Sequence, residues 1–334
     1  VNILMLMLSD SPGVGGMEKH ARELSCELAR LGHTVTLAAA PQHLSDLEPA
    51  VTTRALDTGG SRHSPFLLLT VLRLIRATGF DVVHAQGTKA AFVLQRLAPF
   101  TKGRGRVATI HGFKSRYPKA AAFHQLIAVS QALATDIAQP GVTVIYNGVS
   151  VIAQAPALLP AVTEKPVWLA VGRLVPVKGF EFLIKTFQYC PGTLLIAGDG
   201  PERQRLADLI RSTSQSDTVK LLGFRTDVPA LMAAADGVVI SSEREGFSYA
   251  CAEALLLGKP VISTNVPIAN EVLPEKHIFH SDDPKRFAAF LRQDTASLAA
   301  EQAEARTFAA DTFSLPTMAR QTLNVYQKAT AELP

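Results

Sequence analysis

Residues 237–263, GVVISSEREGFSYACAEALLLGKPVIS, constrain the fold more than any other stretch. Gly237-Val238-Val239-Ile240 is short, apolar and β-branched, as a strand buried on both faces is. Pro260-Val261-Ile262-Ser263 has the same character. Between them lie a small polar loop and an Ala/Leu-rich run of strong helix propensity, starting near Phe247 or Ser248. Strand, loop, helix, strand is the unit of a parallel sheet, because parallel neighbours need a long crossover. Glu245 then falls at the C-terminal end of a strand, where open α/β sheets bind ligands. Glu253 stands eight positions on, inside the helix. Helix side chains lean toward the N-terminus, so its carboxylate reaches the same place. The first amides of that helix, around Gly246, Phe247, Ser248 and Tyr249, can hold an anion, and the dipole there has the right sign. Amides for phosphate and two carboxylates for vicinal hydroxyls suit a phosphorylated sugar. A solvated Glu253 on an ordinary helix is the alternative. However, Ala252 and residues 254–257 are apolar, and an unpaired charge among them is costly.

The same unit recurs along the chain. Residues 2–8 read as a strand, 9–16 as the flexible loop SDSPGVGG, and 17–31 as a helix stopped by Gly32. Residues 33–40 form the next strand. Gly13, Gly15 and Gly16 let the backbone approach a phosphate or sugar closely. A dinucleotide fingerprint needs G-x-G-x-x-G, and Glu18 occupies its third position. No acid ends the second strand, which argues against a nicotinamide enzyme. Residues 64–77 predict a helix with Leu67, Leu68, Val71, Leu72 and Ile75 on one broad packing face. Residues 81–86 (DVVHAQ), 107–110, 126–129 and 142–145 predict further strands, with a helix from Ser130. His84 reads as a satisfied strand-end histidine. His111 follows the 107–110 strand, and Lys114, Arg116 and Lys119 crowd the next loop.

After a Pro/Ala-rich linker at residues 153–166, residues 167–171 read as a strand. GRLVPVKG follows, then a helix from Phe180. Arg173 and Lys178 bracket this loop, a forked donor and a mobile point charge of the kind a diphosphate needs. Residues 193–197 and 219–222 are further strands. Pro201 is placed at a helix's first position, where its missing N–H costs nothing. The tail, residues 313–329, reads as helix.

The 334 residues suit about two domains. Composition matters mainly through charge. Residues 1–150 carry 15 Lys+Arg against 9 Asp+Glu, and the remainder 18 against 20. A basic first half points to an anionic partner, either a membrane surface or a phosphorylated glycolipid, rather than nucleic acid. Cys26, Cys190 and Cys251 are far apart and make neither a metal spacing nor a disulfide framework, which fits a reducing cytoplasm. No apolar run is long enough to span a bilayer, and residues 1–9 lack the flanks of a signal peptide. No Asp-x-Asp stands at a strand end, and Asp282-Asp283-Pro284 lacks that setting, so no metal is expected.

Taken together, these motifs resemble the retaining GT-B glycosyltransferases of family 4. The residues that carry the resemblance are Glu245 and Glu253 as E-x7-E, G-R-x-x-x-x-K-G at 172–179, Gly15-Gly16-x-Glu18, Tyr146-Asn147-Gly148-Val149 as N-G-V, and DVVHAQ. In the last of these, Gln86 replaces a second histidine. The resemblance covers nearly the whole chain. It implies two doubly wound Rossmann-like α/β domains facing a cleft. Residues 1–150 would bind the acceptor and 151–312 the nucleotide sugar, with 313–334 as a helix crossing back to the first domain. Arg173 and Lys178 would hold the donor diphosphate. Glu245 would hold the transferred sugar's hydroxyls, and Glu253 the ribose. Phe224 would flank the base, and His111 would steady the sugar. Gly15 and Gly16 would touch the donor phosphate. Glu18, Lys114, Arg116 and Lys119 would meet the acceptor, although Glu18 also fits a favourable charge in a first helical turn. The co-substrate would be a nucleoside-diphosphate sugar, a UDP-sugar first, with no other cofactor. The acceptor would be an anionic envelope glycan such as a lipopolysaccharide core, met in the cytoplasm or peripherally on the inner membrane face. A nucleotide-sugar epimerase of the same fold and a non-catalytic sugar-nucleotide-binding module are the alternatives.

Overall fold

The computed structural model describes residues 1–151, 155–159, 164–280 and 282–331. The stretch expected as a linker, residues 153–166, lies in part outside the described residues. The chain divides into two compact units, Val1–Gly148 with Thr312–Pro334, and Val149–Asp311.

The first unit is built on seven strands: β1 (Asn2–Met7), β2 (Thr34–Ala39), β3 (Val51–Ala55), β4 (Val82–Gln86), β5 (Gly105–Ile110), β6 (Gln125–Ala128) and β7 (Val142–Val144). They pair in parallel in the order β3-β2-β1-β4-β5-β6-β7. The inner strands are continuous apolar runs because helices cover both faces. β3 is different. Its residues VTTRA bury only Val51, as an edge strand can, so it carries little apolar signal.

The Leu315–Ala331 helix belongs to this unit. Met318, Ala319, Val325, Tyr326 and Ala329 join the same core as Ile3, Met5, Leu24 and Val107. The approach is close, since a Cβ on Gly148 would stand 2.7 Å from Leu315 Cα. The Tyr326 hydroxyl lies 2.7 Å from His84 Nδ1, both groups fully buried. His84 Nε2 lies 2.7 Å from Thr109 Oγ1, so both ring nitrogens of this strand histidine are partnered.

The Pro65–Ala77 helix is capped by Ser64, whose Oγ accepts from Leu67 N, with proline at its first position. Only Leu67, Val71 and Ile75 are buried, a narrower stripe than the five-residue face expected.

The second unit has six strands: β8 (Val167–Val171), β9 (Thr193–Ala197), β10 (Val219–Gly223), β11 (Gly237–Ile240), β12 (Val261–Thr264) and β13 (Ile278–Phe279). They too are parallel, in the order β10-β9-β8-β11-β12-β13. Trp168 is fully buried at the centre, packed with Leu194, Ile196, Val239 and Phe287. A Cβ on its strand neighbour Gly237 would come within 2.6 Å of the indole. Pro201 corrects an expectation. The helix after β9 runs Arg203–Ser212 with Glu202 as N-cap, so Pro201 sits in the preceding turn. Gly200 N donates to the Asp199 carboxylate there, and that turn needs two residues before the helix starts.

Each sheet reverses its strand order once, between β1 and β4 in the first unit and between β8 and β11 in the second. Loops leave in opposite directions at such a point, and a crevice opens at the strands' C-terminal ends.

The Tyr326→Phe variant tests the anchoring of the last helix. It leaves His84 short of a partner in a dry site, which costs about 1–3 kcal/mol. The unfolding midpoint of the first unit should fall accordingly in urea; an unchanged midpoint would assign the helix's docking to apolar packing alone.

Candidate functional site

In the second unit the switch point is lined by the loops after β8 and β11. Gly179 adopts φ +65°, and a Cβ there would stand 2.0 Å from the Ser241 carbonyl oxygen, so glycine lets the two loops touch. Ser241 Oγ donates to the Lys178 carbonyl at 2.9 Å, and Glu243 N donates to the Val177 carbonyl at 2.9 Å. These bonds fix Lys178 against Glu245. The ammonium is 3.0 Å from Glu245 Oε1, and the side chains are only 24% and 9% exposed. Ser242 Oγ donates to the same oxygen at 2.6 Å. Lys178 runs over Gly172, where a Cβ would meet its Cε at 3.3 Å.

Arg173, on the same loop, is exposed, and none of the described residues pairs with its guanidinium. The loops after β9 and β10 brace this one. Leu174 N donates to Asp199 O, Glu202 N to Leu174 O and Gly198 N to Gly223 O.

The helix after Glu245 runs Tyr249–Leu256, with Ser248 as N-cap in extended conformation. Ser248 is fully buried, yet its hydroxyl does not cap the helix and has no hydrogen-bond partner among the described residues. Phe247 and Tyr249 pack edge to face. Glu253 is half-buried one turn into the helix. Cys251 faces inward, and burial, reinforced by the Glu245 charge, pushes its thiol far above its usual range, so it supplies no thiolate. Phe224 follows Gly223 on the loop after β10 and is 76% exposed. Arg225, beside it, is held by Asp227 through two bonds of 2.8 and 2.6 Å.

In the first unit, the glycine loop is closed by Glu18. Its Oε2 accepts from Gly15 N at 3.0 Å, and its Oε1 accepts from Ser9 Oγ. Both oxygens are thus committed to the loop, and the residue is 5% exposed. This is the helix-start role that the sequence left open beside acceptor contact. Gly15 caps the Gly16–Arg30 helix that follows.

His111 follows β5, and its Nε2 lies 2.8 Å from Gln86 Oε1. The partner is an acceptor, so Nε2 carries the proton and Nδ1 is left as a lone pair. That Nδ1 is buried and has no hydrogen-bond partner among the described residues. His20, from the helix after the glycine loop, packs edge-on to His111 with centroids 4.7 Å apart. Burial lowers the pKa of His20 to about 4; Asn147 alongside raises it slightly without reaching either ring nitrogen in hydrogen-bond geometry. Burial, with His20 nearby, lowers His84 to about 3. Burial, then His20 and His84, holds His111 well below the usual range. All three imidazoles are therefore neutral at pH 7.

The sequence reasoning missed Gln86, His20 and Ser242 as members of these clusters. In the sequence Gln86 stands out only as a departure from a motif. Its signal lay in standing at a strand end beside another strand-end histidine.

The acceptor-loop cations Lys114, Arg116 and Lys119 are exposed. Their loop is tied down by backbone and hydroxyl bonds, Lys114 N to Tyr117 Oη at 3.0 Å, Tyr117 Oη to Asp136, and Lys119 N to Gln95 Oε1 at 2.7 Å. The charged tips have no partner among the described residues. Those residues include no group of three or more His, Cys, Asp or Glu able to hold a metal.

The family "Glycosyltransferase Family 4" matches residues 14–151, and "Glycosyl transferases group 1" matches residues 154–294. The lipopolysaccharide core biosynthesis glycosyltransferase LpsE of Rhizobium meliloti is 28% identical over 261 residues, covering 75% of this chain and 76% of LpsE. LpsD of the same organism is 28% identical over 199 residues, but the alignment spans only 57% of this chain and 53% of LpsD. Among solved structures, Anabaena Alr3699/HepE in complex with UDP-glucose superposes with a TM-score of 0.81 at 23% identity, covering 97% of this chain and 99% of that one.

The three depressed histidines make a pH prediction. A base whose folded pKa lies below its unfolded value of about 6.5 takes up protons on unfolding. Its stabilising contribution is complete above about pH 6.5 and drains away as pH falls toward 4. The thermal midpoint of the first unit should drop steeply across that window. A flat midpoint from pH 7 to 4.5 would mean that the histidines titrate in the folded state.

Proposed function

The chain belongs to the glycosyltransferases of family 4 and group 1, and on that premise we propose that it moves a sugar, with retention of anomeric configuration, from a UDP-sugar to an anionic envelope glycan. A lipopolysaccharide core or a related glycolipid is the acceptor, at the inner face of the membrane. The observation that carries this reading is the half-buried Lys178–Glu245 pair at the switch point, 3.0 Å apart, beside the first turn of the Tyr249–Leu256 helix. A cation, a carboxylate and the N-terminal turn of a helix in one place match a diphosphate joined to a polyhydroxylated ring. LpsE and LpsD, by name lipopolysaccharide core enzymes, support the acceptor class, and the UDP-glucose held by Alr3699/HepE supports the base.

In this reading the bond from the sugar's anomeric carbon to the diphosphate oxygen breaks. A bond to an acceptor hydroxyl oxygen forms on the same face. The hydroxyl's proton passes to the departing diphosphate. Arg173, Lys178 and the amides of residues 247–249 meet the charge that grows on the leaving oxygens. Glu245 accepts from the transferred sugar's hydroxyls and Glu253 from the ribose. Glu245 is already fixed by Lys178 and Ser242, so little reorganisation is needed when the sugar arrives. Phe224 offers an exposed ring to the base. His111 steadies the transferred sugar from the end of β5. Gly15 and Gly16 bring backbone amides to the donor phosphate. Lys114, Arg116 and Lys119 receive the acceptor's anionic groups.

The test is a screen of UDP-, GDP- and ADP-sugars in EDTA, following nucleoside-diphosphate release. One donor, a UDP-sugar, should be turned over. Lys178→Ala and Glu245→Gln should each lower kcat about 10²–10³-fold, the usual cost of losing one preorganised partner of the developing charge. Turnover undiminished in both variants would overturn the site. Recovery of an epimerised UDP-sugar without diphosphate release would overturn the transfer.

A further inference from the structure

We propose that the outward face of the Pro65–Ala77 helix is a docking surface for an anionic phospholipid bilayer. The helix, PFLLLTVLRLIRA, has nine apolar residues besides its proline, and only Leu67, Val71 and Ile75 are buried. An ordinary surface helix covers its apolar residues and turns polar ones outward. Here Phe66 is 73% and Leu69 is 44% exposed. Arg73 and Arg76 are exposed as well.

At 3.6 residues per turn, Phe66, Leu69, Arg73 and Arg76 fall within an arc of about 80°, centred about 180° from the buried stripe. They therefore form one ridge, apolar in its first half and basic in its second, directed away from the core. Isolated exposed apolar residues are common on soluble proteins, but a ridge backed by a helix that is apolar nearly all round is not.

Charge selects the occupant. Residues 58–80 contain no Asp or Glu, while they hold Arg62, Arg73 and Arg76. Apolar side chains for the acyl boundary and arginines for lipid phosphates are the composition of helices that lie in an anionic membrane interface. Arg76 also complements the helix C-terminus. That accounts for its place and leaves Phe66 and Leu69 unexplained. No described helix is long and apolar enough to cross a membrane, so the contact proposed is with the surface.

The proposal deepens the reading of a membrane-borne acceptor and rests on it only for its purpose. The two fail separately, because vesicle binding needs no donor and donor turnover needs no vesicle. The whole chain is sedimented with vesicles of phosphatidylglycerol and phosphatidylethanolamine, and with phosphatidylcholine vesicles as control. Binding to the anionic vesicles should be at least tenfold stronger than to the control and should weaken as salt rises to 0.5 M. Phe66→Asp/Leu69→Asp and Arg73→Glu/Arg76→Glu should each lower it at least tenfold, with release of nucleoside diphosphate from the donor in free solution unchanged. Equal binding by the variants, or none by the unaltered chain, would overturn the proposal. So would a dimer in solution that Phe66→Asp/Leu69→Asp dissociates, since a second copy would then be what covers the ridge. The salt titration uses the unaltered chain and keeps the test valid if a variant folds poorly.

Discussion

The reversal of strand order between β8 and β11 is the constraint on which the second unit's chemistry depends. It sends the loops after those two strands in opposite directions from one crevice. Lys178 comes from one loop and Glu245 from the other, and they close on each other at 3.0 Å. That contact is possible because Gly179 lets the β8 loop lie against the Ser241 carbonyl. A side chain at that position would separate the loops and leave two partly buried charges apart, a state that costs several kcal/mol. The pair is thus a consequence of backbone packing, and it holds a carboxylate ready at the mouth of the crevice.

The first unit has the same reversal of strand order and different electrostatics. Its switch point, between β1 and β4, holds three neutral imidazoles and the Glu18 carboxylate bound to its own loop. His20, His84 and His111 are kept uncharged by burial and by one another, and Gln86 sets the tautomer of His111. Exposed cations stand on the 113–119 loop and along the Pro65–Ala77 helix.

The parallel sheets were legible because buried strands such as β8, β9 and β11 are short apolar runs ended by glycine or polar residues. The E-x7-E and G-R-x-x-x-x-K-G stretches could be placed at strand ends from the same signal. What the sequence left out has physical reasons. β3 is an edge strand with one buried residue, so its pattern is that of a loop. The partners of Glu18 and His111 depend on backbone geometry across the sheet, which spacing alone does not carry. The Pro65–Ala77 helix looked like packing because apolar residues are abundant around it; only the fold shows which of them find no core. The Glu18 carboxylate illustrates the limit best, since a motif residue and a helix-start residue look identical until its two acceptor bonds are seen.

The most direct measurement of the central claim, that Arg173 and Lys178 receive the donor's diphosphate, is a calorimetric comparison of UDP and UMP binding. The unaltered chain and an Arg173→Ala/Lys178→Ala variant would each be titrated with both nucleotides. Two charge-assisted contacts to the outer phosphate predict that UDP affinity falls about 100-fold or more in the variant, erasing the preference for UDP over UMP. If the variant keeps the same UDP-to-UMP preference as the unaltered chain, the diphosphate lies elsewhere and the account is wrong.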